Sequence, residues 1–196
     1  DWDSAAAQAA TAGCNSVAVT VKDASGQVYF DSAQPAASGA IRTESTTAAA
    51  LTAMTASDTY TIARLSCLLD PIAAKADVEG MGLKNTGGYI FYDGNNLNWL
   101  DPSKPAARQY LCGLAKELAE MGFDEILLTD VSYPTEGKLD KIAYGETGKV
   151  QNLNTFLDEM RAALAAYDVK LSIELPAAAV SEGSDSQAGL TLADIA

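Results

Sequence analysis

The chain has 196 residues, 48% apolar and 20% charged, a composition that can bury a substantial core and is unlike that of a disordered segment. Its 13 basic and 26 acidic side chains leave a formal net charge of −13, so the surface repels phosphate backbones and no nucleic acid partner is expected. It contains no histidine, which excludes Ser-His-Asp and Cys-His catalysis, HExxH zinc chemistry and any histidine general base.

In chain order, the Ala-rich residues 3–12 predict a helix that stops at Gly13. SVAVTV, 16–21, predicts a buried strand from its β-branched apolar run. Residues 45–56 predict a second helix, weakened by threonines. YTIARLSCLL, 60–69, predicts a second buried strand, broken by Asp70-Pro71.

Residues 70–102 then form a long excursion, with a short helix from PIAAKAD. A hairpin is expected in GYIFYDGNNLNW, turning at Asp93-Gly94-Asn95-Asn96. The clearest helix is 103–121, with Ser103 as its cap, Pro105 in its first turn, and Tyr110, Leu111, Leu114, Leu118 and Met121 at helical spacing. Gly122 ends it, and EILLTDV follows as a third strand. A helix at 152–166, with Phe156, Met160 and Leu164 on one stripe, leads to a strand at 169–175. A polar loop and a short helix at 191–195 close the chain.

Helices alternating with apolar strands imply a parallel sheet in one α/β domain spanning 1–196. Two architectures fit: a TIM-type (β/α)8 barrel, incomplete at this length, or a doubly wound open parallel sheet. No apolar run is long enough to cross a bilayer. Cys14, Cys67 and Cys112 are odd in number, far apart and without zinc-site spacing; buried free thiols and no metal are expected. No GxGxxG or GxxxxGK[ST] follows a strand, and no cofactor is expected.

In either architecture ligands meet the carboxyl ends of the strands. Lys22 and Asp23 follow the first strand, Arg64 and Asp70 belong to the second, Asp130 and Tyr133 close the third, and Glu174 closes the fourth. Two carboxylates suffice for glycoside hydrolysis, one protonating the leaving oxygen while the other attacks or activates water. Asp130 and Glu174 are the candidate catalytic pair. Lys22, Asp23, Arg64, Asp70, Trp99 and Tyr133 are candidate substrate contacts. Several have a structural alternative: Asp130 as a turn residue, Glu174 paired with Lys22 or Arg64, Asp70 as a helix cap, and Lys22-Asp23 as part of a turn. Tyr89, Phe91, Tyr92 and Trp99 either stack on sugars or form hairpin core.

The runs NSVAVTVKDASGQVYFDS (15–32), YTIARLSCLLDP (60–71), NWLDPSKPAARQYLCGLAKELAEMGFDEILLTDVSYP (98–134) and VKLSIELPAAAVSEGSDSQAG (169–189) resemble a group of bacterial glycoside hydrolases. Those are (β/α)8 barrels loosely related to the α-amylase type, often on cell surfaces. The resemblance implies a partial barrel beginning inside its first helix, a carbohydrate substrate or ligand, and an extracytoplasmic or cell-surface bacterial protein. Lys22, Asp23, Arg64, Asp70, Trp99, Asp101 and Pro134 match that pattern. Thr20, Thr129 and Ser132 stand where the family has two aspartates and an arginine, and Glu174 stands where it has aspartate. On an ideal strand Asp130, one place after Thr129, faces the opposite side. Two functions follow: a hydrolase of a polysaccharide or cell-wall glycan, or an inactive barrel relative that binds glycans or another surface.

Overall fold

The computed structural model describes residues 2–195. Four strands, β1 (Ser16–Lys22), β2 (Tyr60–Ser66), β3 (Glu125–Thr129) and β4 (Lys170–Ile173), form a parallel sheet in the order β1-β2-β3-β4. The helices are α1 (Trp2–Thr11), α2 (Ser45–Thr55), α3 (Pro71–Ala76), α4 (Pro105–Glu120), α5 (Lys149–Leu164), α6 (Ala177–Glu182) and α7 (Leu192–Ile195). A two-residue hairpin, β5 (Ser184–Asp185) with β6 (Leu190–Thr191), lies between the last two.

The strand order never reverses, so the described sheet has no topological switch point of the doubly wound kind. Successive crossovers of one hand that step in one direction keep their helices on one side. The strands record this in their burial. The row Ala63, Ile126, Leu171 and the row Leu65, Leu128, Ile173 lie on the helix side, and Ala63, Leu65, Ile126 and Leu128 have no exposed surface. On the other face Ile62, Arg64, Glu125, Leu127 and Ser172 are only half-buried. Four strands are half the number in a (β/α)8 barrel.

α4 shows why its segment is helical and where it docks. Ala107, Tyr110, Leu111, Leu114, Ala115 and Leu118 fall on one stripe and are all buried. Each leucine contributes about 1.5–3 kcal/mol by leaving water. The stripe packs against α5, whose Phe156, Leu157 and Met160 are buried in turn. Gly122 ends α4 with φ 93°, a left-handed conformation that a side chain would strain.

Several boundaries differ from the sequence reading. Ser103 does not cap α4: Pro105 occupies the first turn and holds Lys104 extended, so the helix begins two residues later. Instead Asp101 accepts a bond from the Ser103 N–H at 2.9 Å. β2 ends at Ser66 rather than 69, and α5 starts at Lys149, after Gly148, rather than at 152. In the excursion the turn at Asp93 forms, with the Asp93 N–H donating to Leu97 O at 3.0 Å. Leu83, Phe91, Trp99 and Leu100 from this segment join the core. Cys67 and Cys112 are buried as expected, whereas Cys14, just past α1, is exposed.

Candidate functional site

The carboxyl ends of β2, β3 and β4 come together through their backbones. The Cys67 N–H donates to Thr129 O (2.9 Å), Leu68 N–H to Asp130 O (3.1 Å), and Glu174 N–H to Leu128 O (2.8 Å), so pairing continues past the strands proper. Ser66 and Thr129 are register partners on the half-buried face. Glu174 extends the Lys170–Ser172 alternation onto that same face.

Asp130 leaves strand geometry at this point. Its φ is 54°, left-handed, a region that aspartate tolerates better than most residues. A continued strand would send its side chain to the helix side with Leu128. The left-handed turn brings the carboxylate back instead, where Oδ2 accepts from Ser66 Oγ at 2.6 Å and from Thr129 Oγ1 at 3.1 Å. The opposite-face expectation for Asp130 is therefore corrected, because an ideal strand does not extend to residue 130.

Asp130 and Glu174 line one small cleft of about 190 Å³, with Val131, Ser132, Leu175 and Pro176. Glu174 is held from the other side by Arg64, whose guanidinium lies 2.9 Å from Oε2. Both partners are about half exposed, so the pair orients more than it stabilises. A larger cleft of about 800 Å³ lies between α1, β1 and α2, but mainly alanine, valine and other apolar side chains line it.

The other sequence candidates are distributed differently. A bulge between Thr20 and Lys22 turns Lys22 into the interior. There its Nζ donates to Ser66 O at 2.8 Å and lies 3.1 Å from Asp70 Oδ2, with both side chains fully buried. Asp70 also caps α3, accepting from the Ala73 N–H at 2.8 Å. Burial first, and the Asp70 charge second, push the buried Tyr110 hydroxyl well above the usual tyrosine range.

Asp23 closes its own turn, accepting from Ser25 N–H, Ser25 Oγ and Gln27 N–H on one oxygen and from Tyr29 OH on the other. Partial burial acts to raise its pKa, but these bonds outweigh it and hold the carboxyl below its ordinary value. Gly26, inside the turn with φ 84°, passes so close to Asp70 that a Cβ would collide with its carboxylate. Trp99 is nearly buried and donates from Nε1 to Asp93 Oδ2 at 2.9 Å. Tyr133 is buried, accepts from Asn152 Nδ2 at 2.9 Å and meets the Tyr144 ring edge-on.

The structure thus brings together Asp130, Glu174 and Arg64, and it holds Lys22, Asp70 and Tyr133 inside the fold. Ser66 was not singled out in the sequence. The signal for it was the alternation Ile62, Arg64, Ser66, which puts its hydroxyl on the Arg64 face. Among the described residues no group of three or more Cys, Asp or Glu has the arrangement of a metal site.

A search of curated proteins finds no match to this chain. Among solved structures, a hypothetical protein from Ruminiclostridium thermocellum ATCC 27405 is 28% identical, with 88% of this chain matching 90% of that one at a TM-score of 0.76. The two share a fold of similar extent. The glycoside hydrolase domain of PelA from Pseudomonas aeruginosa is 17% identical, with 82% of this chain covering 60% of that domain at a TM-score of 0.45. Residues 3–196 match the sequence profile of the family described as "Putative glycosyl hydrolase domain", and the chain belongs to that family.

Proposed function

We propose that the protein is a glycoside hydrolase acting on a polysaccharide or cell-wall glycan, with Asp130 and Glu174 as its carboxylate pair. The observation that carries this reading is the left-handed backbone at Asp130. It returns a carboxylate to the face of Thr129, the position where the resembling hydrolases have their aspartate. Glu174 lines the same cleft from the neighbouring strand. One carboxyl protonates the glycosidic oxygen as the bond to the anomeric carbon breaks, and the other attacks that carbon or takes a proton from water. The one-directional strand order also supports a partial (β/α)8 barrel. A bacterial extracytoplasmic or cell-surface location accords with a polymeric substrate, which cannot enter a cell.

The test is release of reducing ends from a panel of polysaccharides by purified protein. Asp130→Asn and Glu174→Gln are each expected to lower turnover by about 10²-fold or more. Unchanged turnover in both variants would overturn the assignment. The second reading, an inactive relative that binds glycan, is favoured by Ser132 standing where those hydrolases have arginine. Binding with no reducing ends released by the wild type would select it.

A further inference from the structure

The four aromatic residues of the excursion separate into two classes. Phe91 and Trp99 are 3% and 8% exposed and belong to the core, while Tyr89 and Tyr92 are 75% and 47% exposed. Both tyrosines keep much of their apolar ring surface in water. Both line a cleft of about 670 Å³ together with Asn85, Ile90, Asp93, Lys138 and Lys141. That volume is within the range of ligand pockets, about 300–1,000 Å³.

The cleft is built by two loops, the excursion after β2 and the loop between β3 and α5. They are pinned together by bridges between Asn85 and Ile142 and between Asp93 and Gly137. The Thr86 N–H donates to Lys141 O at 2.8 Å, and Gly94 N–H to Glu136 O at 3.2 Å. Gly137, with φ 102°, permits the approach: a Cβ there would come within 2.9 Å of the Gly94 nitrogen. Walls fixed in this way lose little freedom on binding.

Of the three charged residues that line the cleft, Lys138 and Lys141 are basic and Asp93 is acidic. Lys138 makes no ion pair among the described residues, and Lys141 pairs only with its exposed neighbour Asp140. Lys75 stands over the Tyr92 ring at 5.9 Å. The Asp93 carboxylate is engaged by the protein, accepting from Asn95 N–H and Leu97 N–H on one oxygen and from Trp99 Nε1 on the other. Lysine ammonium groups beside exposed ring faces suit a ligand that carries both apolar faces and anionic groups.

We propose that this cleft is a subsite for an acidic polysaccharide, whose pyranose faces stack on Tyr89 and Tyr92 while its carboxylates meet Lys138 and Lys141. The ligand class rests on the carbohydrate reading above, but binding here needs neither Asp130 nor Glu174. Because both loops leave the carboxyl ends of their strands, the subsite belongs to the same end of the sheet as the Asp130–Glu174 cleft.

The experiment is native gel electrophoresis through polygalacturonate or dextran, using the double variant Asp130→Asn/Glu174→Gln so that nothing is turned over. Retardation is expected in polygalacturonate and not in dextran. Adding Tyr89→Ala or Lys138→Glu should weaken it about tenfold, whereas Lys116→Glu, on the exposed side of α4, should not change it. Equal retardation in dextran, no retardation in either polymer, or no effect of Tyr89→Ala would overturn the proposal. Failure of the hydrolase reading is seen separately, as binding retained by a wild type that releases no reducing ends.

Discussion

The Asp130 carboxylate is bonded to the Ser66 hydroxyl at 2.6 Å although strand alternation alone would point it to the other side of the sheet. The φ of 54° at Asp130 makes this contact possible and gives a backbone signature that can be measured. Asp130→Gly should be more stable than Asp130→Ala by about 1 kcal/mol, because only glycine adopts this conformation without Cβ strain. Chemical denaturation of the two variants checks it, and equal stabilities would refute a left-handed Asp130.

In the proposed reaction Ser66, through its bond to Asp130, is a positioning residue, and its substitution tests that role while leaving both carboxylates in place. Ser66→Ala should lower kcat by on the order of tenfold or more at little change in KM, since it frees the carboxylate to rotate. Ser66→Thr, which keeps the hydroxyl, should restore most of the rate. Equal losses in both variants would mean that Ser66 only fills space.

Lys22 and Asp70 form a buried ion pair whose members depend on each other. Lys22→Met should destabilise the fold by about 3–5 kcal/mol, because it leaves the Asp70 charge buried and unpaired. Lys22→Met/Asp70→Asn should recover much of that loss, since asparagine retains an acceptor for the α3 cap and carries no charge. Urea unfolding of the single and double variants, read as a cycle, measures the coupling.

The turn at Asp23 should weaken in acid. The folded carboxyl titrates below the ordinary 3.8, held there by Ser25, Tyr29 and Gln27 against the opposing effect of burial. Its stabilising contribution is therefore complete above the unfolded value and is lost as pH falls through the lower folded one. The stability difference between wild type and Asp23→Asn should be constant above about pH 5 and shrink below pH 3.8. A difference that does not change down to pH 2 would contradict the bonding described.

Thiol labelling should distinguish the three cysteines. Burial pushes the Cys67 thiol far above its ordinary value and the Cys112 thiol up to about 11, so neither offers an accessible thiolate near neutrality. Cys14 is exposed. In native buffer a maleimide should modify Cys14 alone, and in denaturant all three, as read by mass spectrometry.

The sequence by itself determined the alternation of helices and strands, the α4 stripe of Tyr110, Leu111, Leu114 and Leu118, and the stop at Gly122. Those features follow from local periodicity and backbone preference. It offered the helix cap as the alternative role of Asp70 and left Lys22 and Arg64 as alternative partners for Glu174, because capping chemistry is local whereas the choice of partner depends on which side chains share a face. The tertiary structure alone decided three matters. The bulge before Lys22 carried a candidate ligand residue into a buried pair with Asp70, a choice set by register with β2. Packing divided the excursion's aromatics into core and surface, which a run of alternating aromatics cannot reveal. The left-handed turn at Asp130, stabilised by hydroxyls on two separate strands, decided on which side of the sheet its carboxylate lies.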